Sequence, residues 1–169
     1  MFEKCENFNQ PVTIPYKVKL CANMFNNCIS MNSEVIIGQN VNNCRSMFLN
    51  CYSFNQPITL VNNILDCREM FKNCTSLCQP ITIPNNTTTC SEMFNGCNLI
   101  TDITVYNVTT TSQLSRAFRN NNSILLTIHT DATSIDRIKS TNIASNNYLA
   151  LTWDASNYNS LYNIQLDIV

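Results

Sequence analysis

Cysteine is the residue type that could most readily carry chemistry in this sequence. Ten of the 169 residues are cysteines. Zinc sites need cysteine and histidine side chains at short spacing, yet the closest cysteine pair is Cys74 and Cys78, and His129 is the single histidine. The sequence therefore predicts no metal site and no cofactor.

Disulfide bonds are the second chemistry that ten cysteines could provide. Nine of them recur every 23 residues in two columns: Cys5, Cys28, Cys51, Cys74 and Cys97, and Cys21, Cys44, Cys67 and Cys90. Equivalent positions of stacked repeats lie about 4.8 Å apart, which is within bridging range, but their Cβ atoms point in parallel into the core. We therefore expect free thiols that serve as small core side chains.

Catalytic groupings are scarce in the sequence. His129 and Asp131 form a short-range pair without an identifiable nucleophile, and there is no paired-carboxylate motif or glycine-rich phosphate loop. A net charge of −1 and a charged fraction of 12% argue against nucleic-acid binding, and no apolar run is long enough for a membrane helix. We therefore predict that the protein is not an enzyme, does not bind nucleic acid and does not insert into a membrane.

The elements that must position these residues come from a tandem repeat of 23 residues. A Met-Phe pair opens each unit, at Met1, Met24, Met47, Met70 and Met93, and the first four units follow one another without insertion. After Met93 the pattern decays, with a sixth unit around residues 117–129 and a seventh at residues 149–153. We assign five repeats to residues 1–116, and degenerate repeats with a C-terminal cap to residues 117–169.

Each unit is expected to contribute one short parallel strand and one helical turn. The strands are predicted at the β-branched segments 12–14, 35–37, 58–60, 81–83 and 103–105, with later strands at 125–129 and 161–169. Apolar residues every three to four positions over residues 21–31 predict α- or 3₁₀-helical turns whose Met, Phe and Cys side chains are buried. Asparagine is expected at the corners because it tolerates left-handed backbone. These elements predict an α/β solenoid, a right-handed coil with one short parallel strand per 23-residue repeat.

The repeated unit resembles a known family. Its pattern, MFxxCxxFNQPhTIPxxhxxC with h apolar, is similar to the BspA-like, or Treponema-type, leucine-rich repeat, although Met-Phe stands where Ala-Phe is commoner. The similarity is strong from residue 1 to about residue 105 and weaker to about residue 130. Relatives of this repeat occur in bacterial surface adhesins, in surface proteins of some protists and in phage-encoded proteins. The resemblance implies protein or surface binding and no catalytic chemistry.

Outward-facing positions that vary between units are the candidate binding residues. On the strands these are Thr13, Ile36, Thr59 and Thr82, and Thr104 and Thr127 are expected to continue the threonine rank. On the corners after the strands they are Tyr16, Lys17, Gln39 and Asn62. Such neutral, hydroxyl- and amide-rich surfaces suit a protein or glycan partner held by hydrogen bonds. In the cap, Tyr148, Trp153 and Tyr158 form a second candidate cluster, with closure of the core as their alternative role.

The N-terminal unit has no capping segment before it in this sequence. Phe2, Cys5, Val12 and Ile14 are therefore expected to form a partly exposed edge that mediates homo-oligomerisation or a larger assembly, unless the chain is a piece of a longer protein. The first residues lack the features of a signal peptide, which together with free thiols predicts cytoplasmic synthesis and folding.

These observations together predict a non-enzymatic leucine-rich-repeat module that binds a protein or a glycan at a surface. It would be adhesin-like on a cell surface or carried on a virion. The alternative is a structural assembly protein, such as a phage capsid or tail accessory subunit.

Overall fold

Short strands dominate the computed structural model, which describes residues 1–110, 113–121, 125–141, 158–159 and 164–169. The strands are β1 (Val12–Thr13), β2 (Val35–Ile36), β3 (Ile81–Ile83), β4 (Asp102–Val105), β5 (Leu126–Thr130), β6 (Tyr158–Asn159) and β7 (Ile164–Ile168). One short helix, α1 (Ile135–Ser140), lies between β5 and β6 in the described part of the chain. Small parallel sheets with little helix are compatible with an α/β or repeat-like fold.

Two sheets are formed by these strands. β1 and β2 make a two-stranded parallel sheet, and the second sheet has the order β3-β4-β5-β7-β6. Every neighbouring pair in the second sheet is parallel except β6 and β7, which are antiparallel. The predicted parallel pairing is confirmed for the described strands up to β5.

Equivalent residues of successive units lie side by side. Val12 pairs with Val35 and Thr13 with Ile36, so that each residue meets the one 23 positions later. A second line of parallel bridges joins the units at another side, through Leu20, Asn43, Asp66 and Thr89. Position within the 23-residue unit therefore determines which residues are neighbours in space.

The strand prediction fails in the third unit. Residues 58–60 are not a strand, and among the described residues they make no backbone hydrogen bond to β2 or β3. A cavity of about 190 Å³, lined in part by Ile36, Pro57 and Thr59, lies between them and β2. Without these backbone hydrogen bonds, the sheet is interrupted at the third unit.

The helical turns predicted over residues 21–31 are found only in part, because single i→i+3 turns with buried apolar side chains form but do not join into an α- or 3₁₀-helix. The Met24 N–H donates to the Cys21 carbonyl at 3.1 Å, which closes one turn. Asn23 has a φ of 57°, which a right-handed helix does not allow. Its backbone N–H donates to the backbone carbonyl of Arg45, in the next unit, at 2.9 Å. Along the segment, hydrogen bonds that close a turn alternate with hydrogen bonds to the next unit. This arrangement buries a residue every three to four positions, which is also the spacing expected of a helix.

Left-handed backbone occurs at two positions of the unit. The fourth position has φ between 61° and 80° at Lys4, Asn27, Asn50, Asn73 and Gly96. The last position has φ between 52° and 57° at Asn23, Ser46, Glu69 and Glu92. Asparagine therefore takes the left-handed corner in three of these five fourth positions, as expected, whereas at the last position only Asn23 is an asparagine and serine or glutamate takes the corner in the later units.

The asparagines of the fourth position also form a ladder of side-chain hydrogen bonds. Asn50 Nδ2 donates to Asn27 Oδ1 at 2.9 Å, and Asn73 Nδ2 donates to Asn50 Oδ1 at 2.8 Å. At the end of the ladder, an ideal Cβ on Gly96 would lie 2.6 Å from Asn73 Oδ1. The corner is thus fixed by backbone conformation and by side-chain amides together.

The core consists of columns of like side chains. Phe25, Phe48, Phe71, Phe94 and Phe118 stack with ring centroids 5.3, 5.5, 5.8 and 5.4 Å apart, and all are buried. The methionines before the first four of them are buried as well. Stacked aromatic pairs at this separation are favourable beyond their buried area. From the second unit onward the Met-Phe columns are therefore core residues, as predicted, whereas Met1 is exposed and Phe2 is half-buried.

Candidate binding surface

Four of the predicted binding residues lie at equivalent positions on one face. Thr13, Ile36, Thr59 and Thr82, which we call the strand face, are all exposed, and Ile36 is 51% exposed despite its apolar side chain. The alternate residues of the strands point to the opposite side, where they join the core. The strand face therefore presents mainly hydroxyl groups to the outside, and the cavity at the third unit interrupts it.

The threonine rank continues differently from the prediction beyond the fourth unit. Thr82 pairs with Thr104, and Thr104 pairs with His129 rather than with Thr127. Thr127 lies beside Asp102 instead. The longer connection between β4 and β5 shifts the register, so that a histidine takes the place expected for a threonine.

The remaining aromatic candidates are only partly covered by the structure. Tyr16 is 65% exposed, with Lys17 Nζ lying 5.9 Å from the centre of its ring. Tyr148 and Trp153 lie outside the described residues, and Tyr158 is the first residue of β6. The predicted aromatic cluster of the cap therefore stays a prediction.

The predicted assembly edge needs one correction. Phe2 and Val12 are half-buried and Cys5 is exposed, but Ile14 is only 3% exposed. Alternation along the strand turns Ile14 toward the core, and its N–H donates to the Ile36 carbonyl at 2.8 Å. The expectation that Ile14 is partly exposed is therefore wrong.

An open polar groove of about 540 Å³ lies on the corner that follows the strands. Five asparagines line this amide groove: Asn40, Asn42, Asn62, Asn63 and Asn86. Lys19 and Leu65 complete the lining, so that a single side chain in it is charged. Sequence reasoning singled out Asn62 and missed the other four, although the recurrence of asparagine at 40, 63 and 86 was the available signal.

Hydrogen bonds between units hold the walls of the amide groove. Asn63 Nδ2 donates to the Gln39 carbonyl at 2.6 Å, and Asn86 Nδ2 donates to the Asn62 carbonyl at 3.3 Å. The backbone of the groove is also hydrogen-bonded to the preceding unit, since the Asn42 N–H donates to the Lys19 carbonyl at 2.9 Å. The groove is therefore shaped by the repeat itself and not by a separate loop.

The carboxylate partners of His129 lie far from it in the sequence. Its Nδ1 lies 2.9 Å from Asp167 Oδ2, and its Nε2 lies 3.4 Å from Asp102 Oδ1. The predicted partner, Asp131, is engaged elsewhere. Across the described ranges, no group of three or more His, Cys, Asp or Glu side chains is arranged to hold a metal ion.

Asp131 organises the start of α1. Its carboxylate accepts hydrogen bonds from the backbone N–H groups of Asn107 and Ser134 and from the hydroxyls of Thr133 and Ser134. Burial alone would raise the pKa of Asp131, but these hydrogen bonds outweigh it and hold the pKa well below its usual range. Asp131 is therefore a structural carboxylate and not a proton donor.

The cysteine thiols are free, and eight of the ten are buried. At the fifth position of the unit the thiol is also a hydrogen-bond donor: Cys51 Sγ donates to the Phe25 carbonyl and Cys74 Sγ to the Phe48 carbonyl, each at 3.1 Å. Burial raises the pKa of Cys51 to about 12. These thiols are therefore protonated core groups with little nucleophilic character.

The fold and this surface together define a repeat-like protein of small parallel sheets. The chain belongs to the family described as "Mycoplasma protein of unknown function, DUF285", whose family model matches residues 1–84 and 66–164. That family fits a BspA-like repeat protein in broad terms. No curated protein and no solved structure matches the chain. No helix in the described ranges is long and apolar enough to cross a membrane.

Proposed function

We propose that the protein is a non-enzymatic module that binds a protein or a glycan at a surface, built as a right-handed leucine-rich-repeat solenoid of the BspA-like type. The observation that carries this proposal is the largely uncharged, hydrogen-bonding surface made by the strand face and the amide groove over the first four units. Its adhesin-like or virion-borne setting is the part of the proposal that rests on the resemblance of the repeat.

The rigidity of the surface supports a binding role. Each exposed residue of the strand face alternates with core residues, and the groove side chains stand on backbone that is hydrogen-bonded from unit to unit. A partner that binds such a surface does not have to order it first, which lowers the entropic cost of association. Amide and hydroxyl groups then supply directional contacts.

The chemistry of the exposed groups favours binding over catalysis. From Cys28 onward the thiols at the fifth position are buried, and burial keeps the Cys51 thiol protonated. Both ring nitrogens of His129 face carboxylates rather than a hydroxyl or thiol nucleophile. Nucleophilic catalysis needs an activated nucleophile within hydrogen-bond reach of its base. The proposed role therefore uses the outer surface as a contact area.

An array of purified extracellular proteins and of neutral and acidic glycans tests the proposal. We expect saturable binding to at least one member, and loss of that binding in the strand-face variant Ile36→Arg/Thr59→Arg, because two long cations would disturb an uncharged contact area. The matched control is Asn7→Arg/Ser53→Arg, at exposed turn positions of the unit. Absence of saturable binding to every member would contradict the proposal.

A further inference from the structure

The amide groove repeats its polar groups from unit to unit. Asn40, Asn63 and Asn86 occupy one position of three successive units, and Lys19, Asn42 and Leu65 occupy another. Adjacent parallel backbones lie about 4.8 Å apart, which is close to the length of one sugar residue in a linear glycan. A ligand that contacts equivalent groups in successive units must itself have a repeating structure.

The groove has unused hydrogen-bonding capacity. Within the described residues, the side-chain amides of Asn40, Asn42 and Asn62 make no hydrogen bond to protein, so that each offers a donor and an acceptor. Asn63 and Asn86 use their Nδ2 atoms to hold carbonyls of the preceding unit. Their Oδ1 atoms are left as acceptors in fixed positions. This mixture of donors and acceptors matches the hydroxyl groups of sugars.

Charge and apolar content argue against other ligands. Lys19 is the single charged residue of the lining, whereas polyanions such as nucleic acids need several clustered cations. Protein interfaces depend on buried aromatic and apolar anchors, and the lining offers only Leu65, which is 44% exposed. A neutral ligand with many hydroxyl groups fits the groove best.

We infer that the amide groove is a binding site for a neutral, linear oligosaccharide that runs across successive units. This inference rests on the proposed function, because it specifies the ligand of a binding surface. It assigns ligand contact to Asn40, Asn42 and Asn62 and a positioning role to Asn63 and Asn86.

Isothermal titration calorimetry with cellopentaose and with the pentamer of N-acetylglucosamine tests the site on the full chain. We expect at least one of these neutral probes to bind, and the pentamer to bind more tightly than its trimer because it spans more units. The variant Asn40→Ala/Asn42→Ala should weaken binding at least about tenfold through the loss of two amide contacts. Asn7→Ala/Asn98→Ala, which removes two exposed amides outside the groove, should stay within about twofold of the parent affinity.

Three results would overturn the inference. The first is no heat of binding from either pentamer at millimolar concentration. The second is binding that the Asn40→Ala/Asn42→Ala variant retains while its thermal unfolding stays like that of the parent. The third is preference for a sulfated oligosaccharide that disappears with Lys19→Gln. If the sugars fail but array proteins bind through the strand face, the proposed function stands and only the glycan ligand is rejected.

Discussion

At the scale of single residues, the cysteines have two structural roles: some donate a hydrogen bond between units, and others only fill the core. Cys51, at the fifth position, donates a hydrogen bond from its thiol to the Phe25 carbonyl of the preceding unit. Cys67, at the twenty-first position, is equally buried but makes no such bond within the described chain. The fifth-position thiols therefore help to join units, whereas the others mainly fill space.

This difference predicts unequal costs of substitution. Cys51→Ala and Cys67→Ala remove the same atom from fully buried sites, so the lost packing is similar. Cys51→Ala additionally removes a hydrogen bond, and we expect its free energy of unfolding to fall further than that of Cys67→Ala by about 1 kcal/mol. Urea unfolding of both variants measures this. Equal losses would show that the thiol contact has no energetic role.

The buried thiols also predict a loss of stability in alkali. Burial raises the pKa of Cys51 to about 12, whereas the same thiol in the unfolded chain titrates near its ordinary value of about 8.5. Its contribution is fully present below about pH 8.5 and is lost as the pH rises toward 12, because only the unfolded state releases the proton. Each such thiol lowers the free energy of unfolding by about 1.4 kcal/mol per pH unit in that window.

Urea unfolding between about pH 8.5 and pH 11 tests the titration. The free energy of unfolding should fall with pH less steeply for Cys51→Ala than for the parent protein, and the two slopes should differ by about 1.4 kcal/mol per pH unit. Cys78→Ala, at an exposed thiol, is the matched control and should follow the parent. Identical slopes for the parent and Cys51→Ala would contradict a protonated, buried thiol.

At the scale of structural elements, the asparagine ladder fixes the corner of each unit. Asn50 is at its centre, with a φ of 61° and side-chain hydrogen bonds to Asn27 and Asn73. We expect Asn50→Ala to lower the free energy of unfolding by about 2 kcal/mol, because alanine strains the left-handed backbone and ends the ladder.

Glycine separates the two contributions of Asn50. Asn50→Gly also loses the amide bonds but accepts a positive φ without strain, so it should be less destabilising than Asn50→Ala. Thermal unfolding of both variants beside the parent makes the comparison. If Asn50→Gly is the more destabilising, the conformational entropy that glycine adds to the unfolded chain outweighs the backbone strain at alanine.

The elements also show what sequence patterns can and cannot predict. Alternation at residues 81–83 predicted a strand correctly, because every β-branched residue there pairs as expected. The same pattern at residues 58–60 failed, because strand formation also needs backbone hydrogen bonds to a neighbour, and among the described residues this segment makes none to β2 or β3. Over residues 21–31 the pattern predicted the turns and their buried side chains but not their separation, because an apolar spacing of three to four also fits single turns divided by left-handed residues such as Asn23.

At the scale of the whole molecule, one unit is exchangeable for another. Stacked phenylalanines, paired strands and side-chain ladders all join positions 23 residues apart within the regular units. Removal of residues 47–69 should therefore join Ser46 to Met70 in register and leave a protein that unfolds cooperatively. The slope of its free energy of unfolding against urea concentration should fall roughly in proportion to the smaller surface that unfolding exposes.

Circular dichroism with urea unfolding tests this deletion. Removal of residues 47–61 is the control, because it brings positions together that are not equivalent and should abolish cooperative unfolding. An unfolded 47–69 deletion would contradict the exchangeability of units. A cooperative 47–61 deletion would show that the register between units does not matter.

The candidate surface was predictable only where it depends on one unit. Exposure of Thr13 and Thr82 follows from alternation along a strand, and Thr59 is exposed at the equivalent position although its segment forms no strand. The amide groove depends on corners of successive units, and its asparagines could be assigned to turns on sequence grounds alone. The partners of His129, Asp102 and Asp167, are 27 and 38 residues away, across a register shift that no local pattern reveals.

The interlocking of equivalent positions has a genetic consequence. A gene that encodes such units can lose or gain a whole unit by recombination between its own repeats, and the product keeps its core because every contact is remade by the next copy. Each such event would lengthen or shorten the row of asparagines in the amide groove. Variants in a population would then differ in the length of one polar surface while sharing the same interior.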